Sequence, residues 1–129
     1  MSVIPGILPK IPLPPFSRIP VVALYNYPIN SGSLILPNWI DFYGSGKLKI
    51  YVVISEAGYL GVVNSGETNV PSYLNSGNVL NANTLYEFEI SDLSNMSLNF
   101  VWYSSSSSVT SAIIYMWIFF EPDRGEING

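Results

Sequence analysis

Two glutamates two residues apart offer the clearest candidate for chemistry in this sequence. Glu87 and Glu89 fall in the alternating segment TLYEFEI, residues 84–90, so a strand would place both carboxylates on one face, about 6–7 Å apart. That spacing suits the acid and base of a glycosidase, or two ligands of a calcium ion. The neighbouring sequence supplies neither a desolvating environment nor a third ligand. We therefore expect a solvated strand face and predict no catalytic residue and no metal site.

The other polar groups have ordinary structural explanations. The segment SDLSN, residues 91–95, is typical of a turn in which Asp, Ser and Asn side chains bond their own backbone. The five serines at 104–108 favour an exposed hairpin loop. The sequence contains no Cys and no His, which excludes disulfides, thiol nucleophiles, Ser-His catalysis and the usual zinc sites. These observations predict a protein that is not an enzyme and that needs no cofactor.

Composition limits the partners that the protein can bind. Charged residues make up 11% of the 129 residues, the net charge is −4, and the basic residues are scattered along the chain: Lys10, Arg18, Lys47, Lys49 and Arg124. Since a phosphate-binding surface needs clustered Lys and Arg, we predict no direct nucleic-acid binding. The longest apolar run, residues 112–120, is much shorter than the ~20 residues of a membrane-spanning helix. The sequence therefore predicts no transmembrane segment.

Short β-rich segments separated by turns make up most of the chain. Residues 47–56 show the pattern best, because Leu48, Ile50, Val52 and Ile54 alternate with mostly polar neighbours. Similar segments recur about every 8–12 residues, at 20–27, 31–46, 58–63, 70–81, 84–90, 97–103 and 109–121. We predict an all-β fold, an antiparallel β-sandwich over residues 20–121, with 122–129 as an exposed C-terminal tail. Eight strands suit a single jelly roll, and an immunoglobulin-like sandwich is the alternative.

The first 19 residues predict an extended arm rather than part of the sandwich. Prolines recur from Pro5 to Pro20, where each removes a backbone donor and fixes φ, which favours a polyproline II conformation. The segment is also apolar, and the side chains we expect at an assembly interface are Ile7, Leu8, Ile11, Leu13, Phe16 and Ile19. Burial against a neighbouring subunit is the leading interpretation. Packing across its own sandwich and partial disorder are the alternatives.

The last predicted strand has two apolar faces instead of one. Ala112, Ile114, Met116, Ile118 and Phe120 alternate with a second set, Ile113, Tyr115, Trp117 and Phe119. Sandwich strands usually turn one face to water, so something must cover the second face. An ordinary central strand beneath a long loop would suffice. We instead predict that Tyr115, Trp117 and Phe119 receive the apolar arm.

These features together resemble the small jelly-roll structural proteins of viruses that infect hyperthermophilic archaea. The likeness lies in the extended arm, the charge-poor β-sandwich and the Tyr, Ser and Asn content, with LNANTLYEFEISDLSNMSLNF and SSSVTSAIIYMWIFFE similar to late strands of such folds. The resemblance implies a non-enzymatic viral structural protein located in the virion, in the capsid, turret or tail. It also implies a homo-oligomeric ring or shell with arms exchanged between neighbours, and contacts with other virion proteins.

A carbohydrate-binding sandwich is the alternative function. Tyr and Trp are abundant, and both occur at protein interfaces and on surfaces that stack against sugars. Under this alternative, loops that carry Trp39 or Tyr73 would bind a glycan in host-surface recognition.

Overall fold

The computed structural model describes residues 20–41, 45–65, 71–94 and 96–122, which are dominated by strands. The strands are β1 (Val22–Asn30), β2 (Ile40–Asp41), β3 (Ser45–Ile54), β4 (Gly58–Asn64), β5 (Ser72–Tyr73), β6 (Tyr86–Ser94), β7 (Ser97–Ser104) and β8 (Ser111–Pro122). A short 3-10 helix spans Asn75–Gly77, and no helix in the described ranges is long and apolar enough to cross a membrane. The predicted arm, residues 1–19, and residues 123–129 of the predicted tail lie outside the described residues.

The strands form two four-stranded antiparallel sheets. Sheet 1 has the order β1-β8-β3-β6, and sheet 2 has the order β2-β7-β4-β5. The pairing follows a simple rule, because β1 pairs with β8, β2 with β7, β3 with β6 and β4 with β5. The chain therefore folds like one long antiparallel ribbon. The predicted all-β class and antiparallel sandwich are confirmed.

The core lies between the two sheets and follows the alternation of the sequence. Successive side chains of a strand point to opposite faces, so alternate residues of β3, β7 and β8 point into the core, and residues 98–102 of β7 are buried on both faces. The largest buried contributions come from Leu48, Ile50, Val52, Leu60, Phe100, Trp102, Ile114, Met116 and Ile118. The inward alternation predicted for Leu48 to Ile54 and for Ala112 to Ile118 is confirmed. The alternate residues face outward; some of them, such as Val53, Asn99 and Phe119, are buried by neighbouring residues, and the others form the surfaces described below.

A buried asparagine fastens the chain between β1 and β2 to sheet 2. Leu34 forms an isolated bridge with Val101, and the Ile35 N–H donates to the Phe100 carbonyl at 2.8 Å. Asn99 is fully buried; its Oδ1 accepts from the Leu36 N–H at 3.0 Å, and its Nδ2 donates to the Leu36 carbonyl at 3.0 Å. A buried amide is tolerated when its partners are supplied in this way. Residues 34–36 thus continue the edge of sheet 2 beyond the short β2.

The turn predicted for residues 91–95 is wrong over the part that the structure describes. Residues 91–94 continue β6, where Leu93 and Ser94 pair with Gly46 and Ser45 of β3. Asp and Ser side chains favour local turns only when the backbone lacks a better partner. Here β3 supplies backbone hydrogen-bond partners as far as Ser94, so residues 91–94 form a strand and not a local turn.

Candidate functional site

The outer face of sheet 1 carries an aromatic strip, which we define as Tyr25, Tyr51, Tyr115, Trp117 and Phe119. Trp117 lies on β8 between Ala23 of β1 and Tyr51 of β3. The rings of Tyr25 and Tyr115 meet edge to face at 5.3 Å between centroids, and those of Tyr51 and Phe119 at 6.0 Å. Edge-to-face contacts of this kind stabilise aromatic pairs beyond their buried area. The strip therefore crosses three strands of the sheet.

The three predicted receiving residues all lie on this outer face, but they are not equally accessible. Phe119 is only 4% exposed, so its ring is already covered within the chain. Tyr115 and Trp117 are half-buried, and the Tyr115 hydroxyl donates to Asn26 Oδ1 at 3.2 Å. Tyr25 is thus the most accessible ring of the strip, at 50% exposed, and Trp117, Tyr115 and Tyr51 are half-buried.

The predicted arm residues lie outside the described residues, so their contact with the aromatic strip stays a prediction. These residues are Ile7, Leu8, Ile11, Leu13, Phe16 and Ile19. The chain joins sheet 1 beside the strip, because the Val21 N–H donates to the Ile118 carbonyl at 2.7 Å. The first described residues of β1 thus lie near the end of β8 that carries Phe119.

The two candidate catalytic glutamates belong to an exposed ion-pair network beside the strip. Glu89 lies 3.7 Å from the Lys47 ammonium and 3.5 Å from that of Lys49. Lys49 also lies 3.7 Å from Glu87, and Lys47 lies 3.7 Å from Glu121. Opposite charges on neighbouring strands stabilise a sheet modestly. The expected solvated strand face is therefore what the structure shows at Glu87 and Glu89.

The surroundings of Glu89 lower the pKa of its carboxyl group. The Ser91 hydroxyl donates to Glu89 at 3.2 Å, and the ammonium groups of Lys47 and Lys49 add to the effect. Burial disfavours the charge of Lys49, but the contact with Glu89 and the nearby carboxylates outweigh it and raise the pKa of that lysine. A glycosidase acid needs a raised pKa, whereas the pKa of the Glu89 carboxyl is lowered. Among the described residues, no acidic cluster is arranged to hold a metal ion.

Replacement of Glu89 by Gln should lower Tm at neutral pH and have little effect in acid. Because the folded-state pKa lies below its ordinary value of 4.5, the charged form contributes stability above that value. That contribution disappears as the pH falls through the folded-state pKa. Thermal unfolding of the wild type and E89Q between about pH 7 and pH 3 checks this.

The matched control for E89Q is Glu56→Gln. Glu56 lies in the loop between β3 and β4 and takes no part in the ion pairs among the described residues. We expect E56Q to leave the pH dependence of Tm unchanged. An E89Q protein whose Tm deficit persists undiminished at pH 3 would show that the network does not act through this carboxylate.

The outer face of sheet 2 carries a second aromatic surface, the tyrosine face, which we define as Leu34, Tyr59, Tyr73 and Tyr103. Tyr59 and Tyr103 are directly paired across β4 and β7. The Tyr73 ring of β5 meets both edge to face, with centroids 6.3 Å from Tyr59 and 6.2 Å from Tyr103. All four side chains are exposed, between 36% and 49%. They are four of the six large hydrophobic residues that are exposed in the described chain.

A glycine and the absence of charge shape the tyrosine face. A Cβ placed on Gly61 would lie 2.8 Å from the Pro71 Cβ and 3.3 Å from the Tyr73 ring, so glycine lets that ring lie close to the sheet. Strands β4, β5 and β7 contain no Asp, Glu, Lys or Arg. The surface is therefore aromatic and uncharged, in contrast to the ion-pair network of sheet 1.

The sequence does not predict that the residues of the tyrosine face are neighbours. Its residues come from four separate segments, and only the strand order of sheet 2 makes them neighbours. The sequence predicts Tyr73 and Trp39 as sugar-stacking residues, but only Tyr73 belongs to the tyrosine face. Trp39 lines a groove of about 390 Å³ with Val21, Leu36 and other residues beside the start of β1.

Comparison with known proteins gives no relative for this chain. No protein-family model, no curated protein sequence and no solved structure matches it.

Proposed function

We propose that this protein is a non-enzymatic structural protein of a virion, which assembles with its own copies into a homo-oligomeric ring or shell. The interfaces are the arm of residues 1–19 and an apolar outer face of the sandwich. The virion location comes from the resemblance of its composition to small archaeal-virus structural proteins, as a subunit of the capsid, turret or tail that also contacts other virion proteins. The proposal includes no catalytic step.

We further propose that the sandwich is a jelly roll. The support is the strand pairing: β1 pairs with β8, β2 with β7, β3 with β6 and β4 with β5. This pairing divides the eight strands into two sheets with the orders β1-β8-β3-β6 and β2-β7-β4-β5. Jelly rolls consist of eight strands in two sheets linked as two Greek keys. The chain also changes sheet at every connection except the one from β4 to β5. An immunoglobulin-like sandwich does not divide its strands in this way.

The aromatic strip on sheet 1 is the observation that carries the assembly proposal. Trp117 and Tyr25 keep accessible apolar area on a face where an isolated sandwich usually presents polar groups. Trp and Tyr are the residues most often found at the energetic centre of protein interfaces. The exposed ion-pair network beside the strip matches the polar rim that surrounds such a centre.

Replacement of Trp117 by Ser should weaken the assembly. Truncation of a central interface tryptophan typically costs about 2 kcal/mol or more, which corresponds to an assembly roughly 30-fold weaker. Sedimentation velocity over a dilution series measures the shift. Circular dichroism of the same samples checks that the sheets are still formed.

The control on the same face is Glu87→Gln, because an exposed ion pair contributes little to association. We expect E87Q to assemble like the wild type. Equal dissociation curves for W117S and the wild type would show that the aromatic strip is not part of the assembly interface.

A carbohydrate-binding module is the second candidate function. The tyrosine face favours it, because three exposed rings on one surface offer platforms for sugar stacking. Its strands lack the carboxylate side chains that usually accompany such rings in sugar sites. Titration with a glycan panel, followed by aromatic fluorescence, tests this candidate, and saturable quenching that Tyr73→Ser abolishes would favour it over assembly.

A further inference from the structure

We propose that the tyrosine face of one copy binds the proline-rich arm of another copy, with Pro9, Pro12 and Pro15 as the contacting residues. This inference rests on the proposed function and names the surface on which the arm docks. It differs from the expectation drawn from the sequence, in which the aromatic strip of sheet 1 receives the arm.

The spacing of the arm prolines matches the period of a polyproline II helix. Pro9, Pro12 and Pro15 are each three residues apart, and that helix has three residues per turn. In that conformation the three proline rings would lie along one edge. Pro5 and Pro14 belong to a different edge, and Lys10 lies on a third. Arg18 continues the proline edge one turn after Pro15, so the edge is uncharged from Pro9 to Pro15.

The tyrosine face has the chemistry that recognises such an edge. Polyproline II segments dock on grooves lined by aromatic residues, and their stiffness lowers the entropy lost on binding. Tyr73 stands at interplanar angles of 74° to Tyr59 and 61° to Tyr103, so the three rings form a ridged surface and not a flat one. Both partners lack charge, so docking leaves no ion without a counterion.

The reach of the arm indicates that the docked segment belongs to a second copy. Pro20 lies at the start of β1, whereas Tyr103 of the tyrosine face lies near the other end of that strand, where the Gly32 N–H donates to the Trp102 carbonyl. The nine residues of β1 extend roughly 26 Å, and Gly32 lies two residues further along the chain. At about 3.1 Å per residue, Pro15 lies within ~16 Å of Pro20 and Pro12 within ~25 Å. Pro9, within ~34 Å of Pro20, is the only one of the three prolines that could span this distance. The three prolines therefore cannot dock together on the tyrosine face of their own chain.

Introduced cysteines test the docking directly, because the sequence contains no native cysteine. One cysteine replaces Leu13 in the arm, and a second replaces Leu34 at the rim of the tyrosine face, which leaves the three tyrosines intact. The control pair combines L13C with Ala23→Cys, an exposed residue opposite Trp117 on sheet 1. Since a disulfide needs Cα atoms within about 4.4–6.8 Å, oxidation of the full-length assembly reports which face is near the arm.

We expect an inter-chain disulfide in L13C/L34C and little in L13C/A23C, seen as dimers on non-reducing gels. A disulfide only in L13C/A23C would overturn the proposal and place the arm on the aromatic strip. A disulfide within one chain would overturn it in favour of self-packing. If neither pair links an assembly whose oligomeric mass is normal, this inference fails and the proposed function stands. If the full-length chain is monomeric, the proposed function itself fails.

A second measurement uses the two proline edges as a matched pair. We expect Pro12→Ala with Pro15→Ala to weaken the assembly at least tenfold in a dilution series, and Pro5→Ala with Pro14→Ala to weaken it much less. Equal weakening of the assembly by the two double variants would show that the interface does not distinguish the edge of Pro12 and Pro15 from that of Pro5 and Pro14. Saturable glycan binding that competes with cross-linking at Leu34 would assign the tyrosine face to a sugar instead.

Discussion

Removal of residues 1–19 is expected to reduce the assembled protein to a smaller species whose sandwich remains folded. The hydrogen-bonded sheets of the described residues run from Val22 to Pro122 and form a core of their own, so we expect the sandwich to fold without the removed segment. The segment supplies the apolar side chains that we assign to neighbouring copies. Light scattering measures the fall in mass, and circular dichroism checks that the β-sheet signal is kept.

The matched control for this truncation is Lys10→Ser with Arg18→Ser in the full-length chain. It removes the two charges of the arm and leaves its apolar residues and prolines in place. We expect this variant to assemble normally. A truncated chain that keeps the full oligomeric mass would show that assembly does not use the arm.

Replacement of Trp102 by Ala is expected to cost about 3–5 kcal/mol of unfolding free energy, the range for loss of a large aromatic from a core. Trp102 is fully buried between the sheets, and its indole packs so closely on Gly58 that a Cβ there would collide with it. Such a cost is a large share of the ~5–15 kcal/mol stability of a typical domain. Urea unfolding monitored by circular dichroism measures it.

Trp102→Phe is the informative comparison for this position. The indole Nε1 is buried without a partner among the described residues, and phenylalanine removes that unpaired donor while it keeps most of the ring volume. We expect W102F to lose less than half as much stability as W102A. Equal losses, or a W102A protein as stable as the wild type, would contradict the central place of this residue in the core.

Regular alternation made much of the sandwich predictable from the sequence. The inward set from Leu48 to Ile54 and the two faces of β8 follow from a period of two, which the structure keeps. The outward position of Tyr115, Trp117 and Phe119 followed in the same way. The near-complete burial of Phe119 did not, because it depends on neighbours that sequence alone does not reveal, Tyr51 among them.

Features that depend on the pairing of distant strands could not be predicted. The two-residue strand β5 has no periodic pattern, and its partner β4 is set by the fold as a whole. The tyrosine face therefore had no signal in the sequence beyond the abundance of tyrosine. The turn predicted at residues 91–95 failed for a related reason, because β3 offers residues 91–94 a partner that local side-chain chemistry does not anticipate.

The native mass of the full-length chain across a wide concentration range tests the central claim most directly. The claim is that apolar surface on the arm and on the outer sheet faces is buried between copies of this protein. It predicts a closed homo-oligomer of constant copy number that persists on dilution to low micromolar concentration. A chain that remains monomeric at every concentration would contradict it.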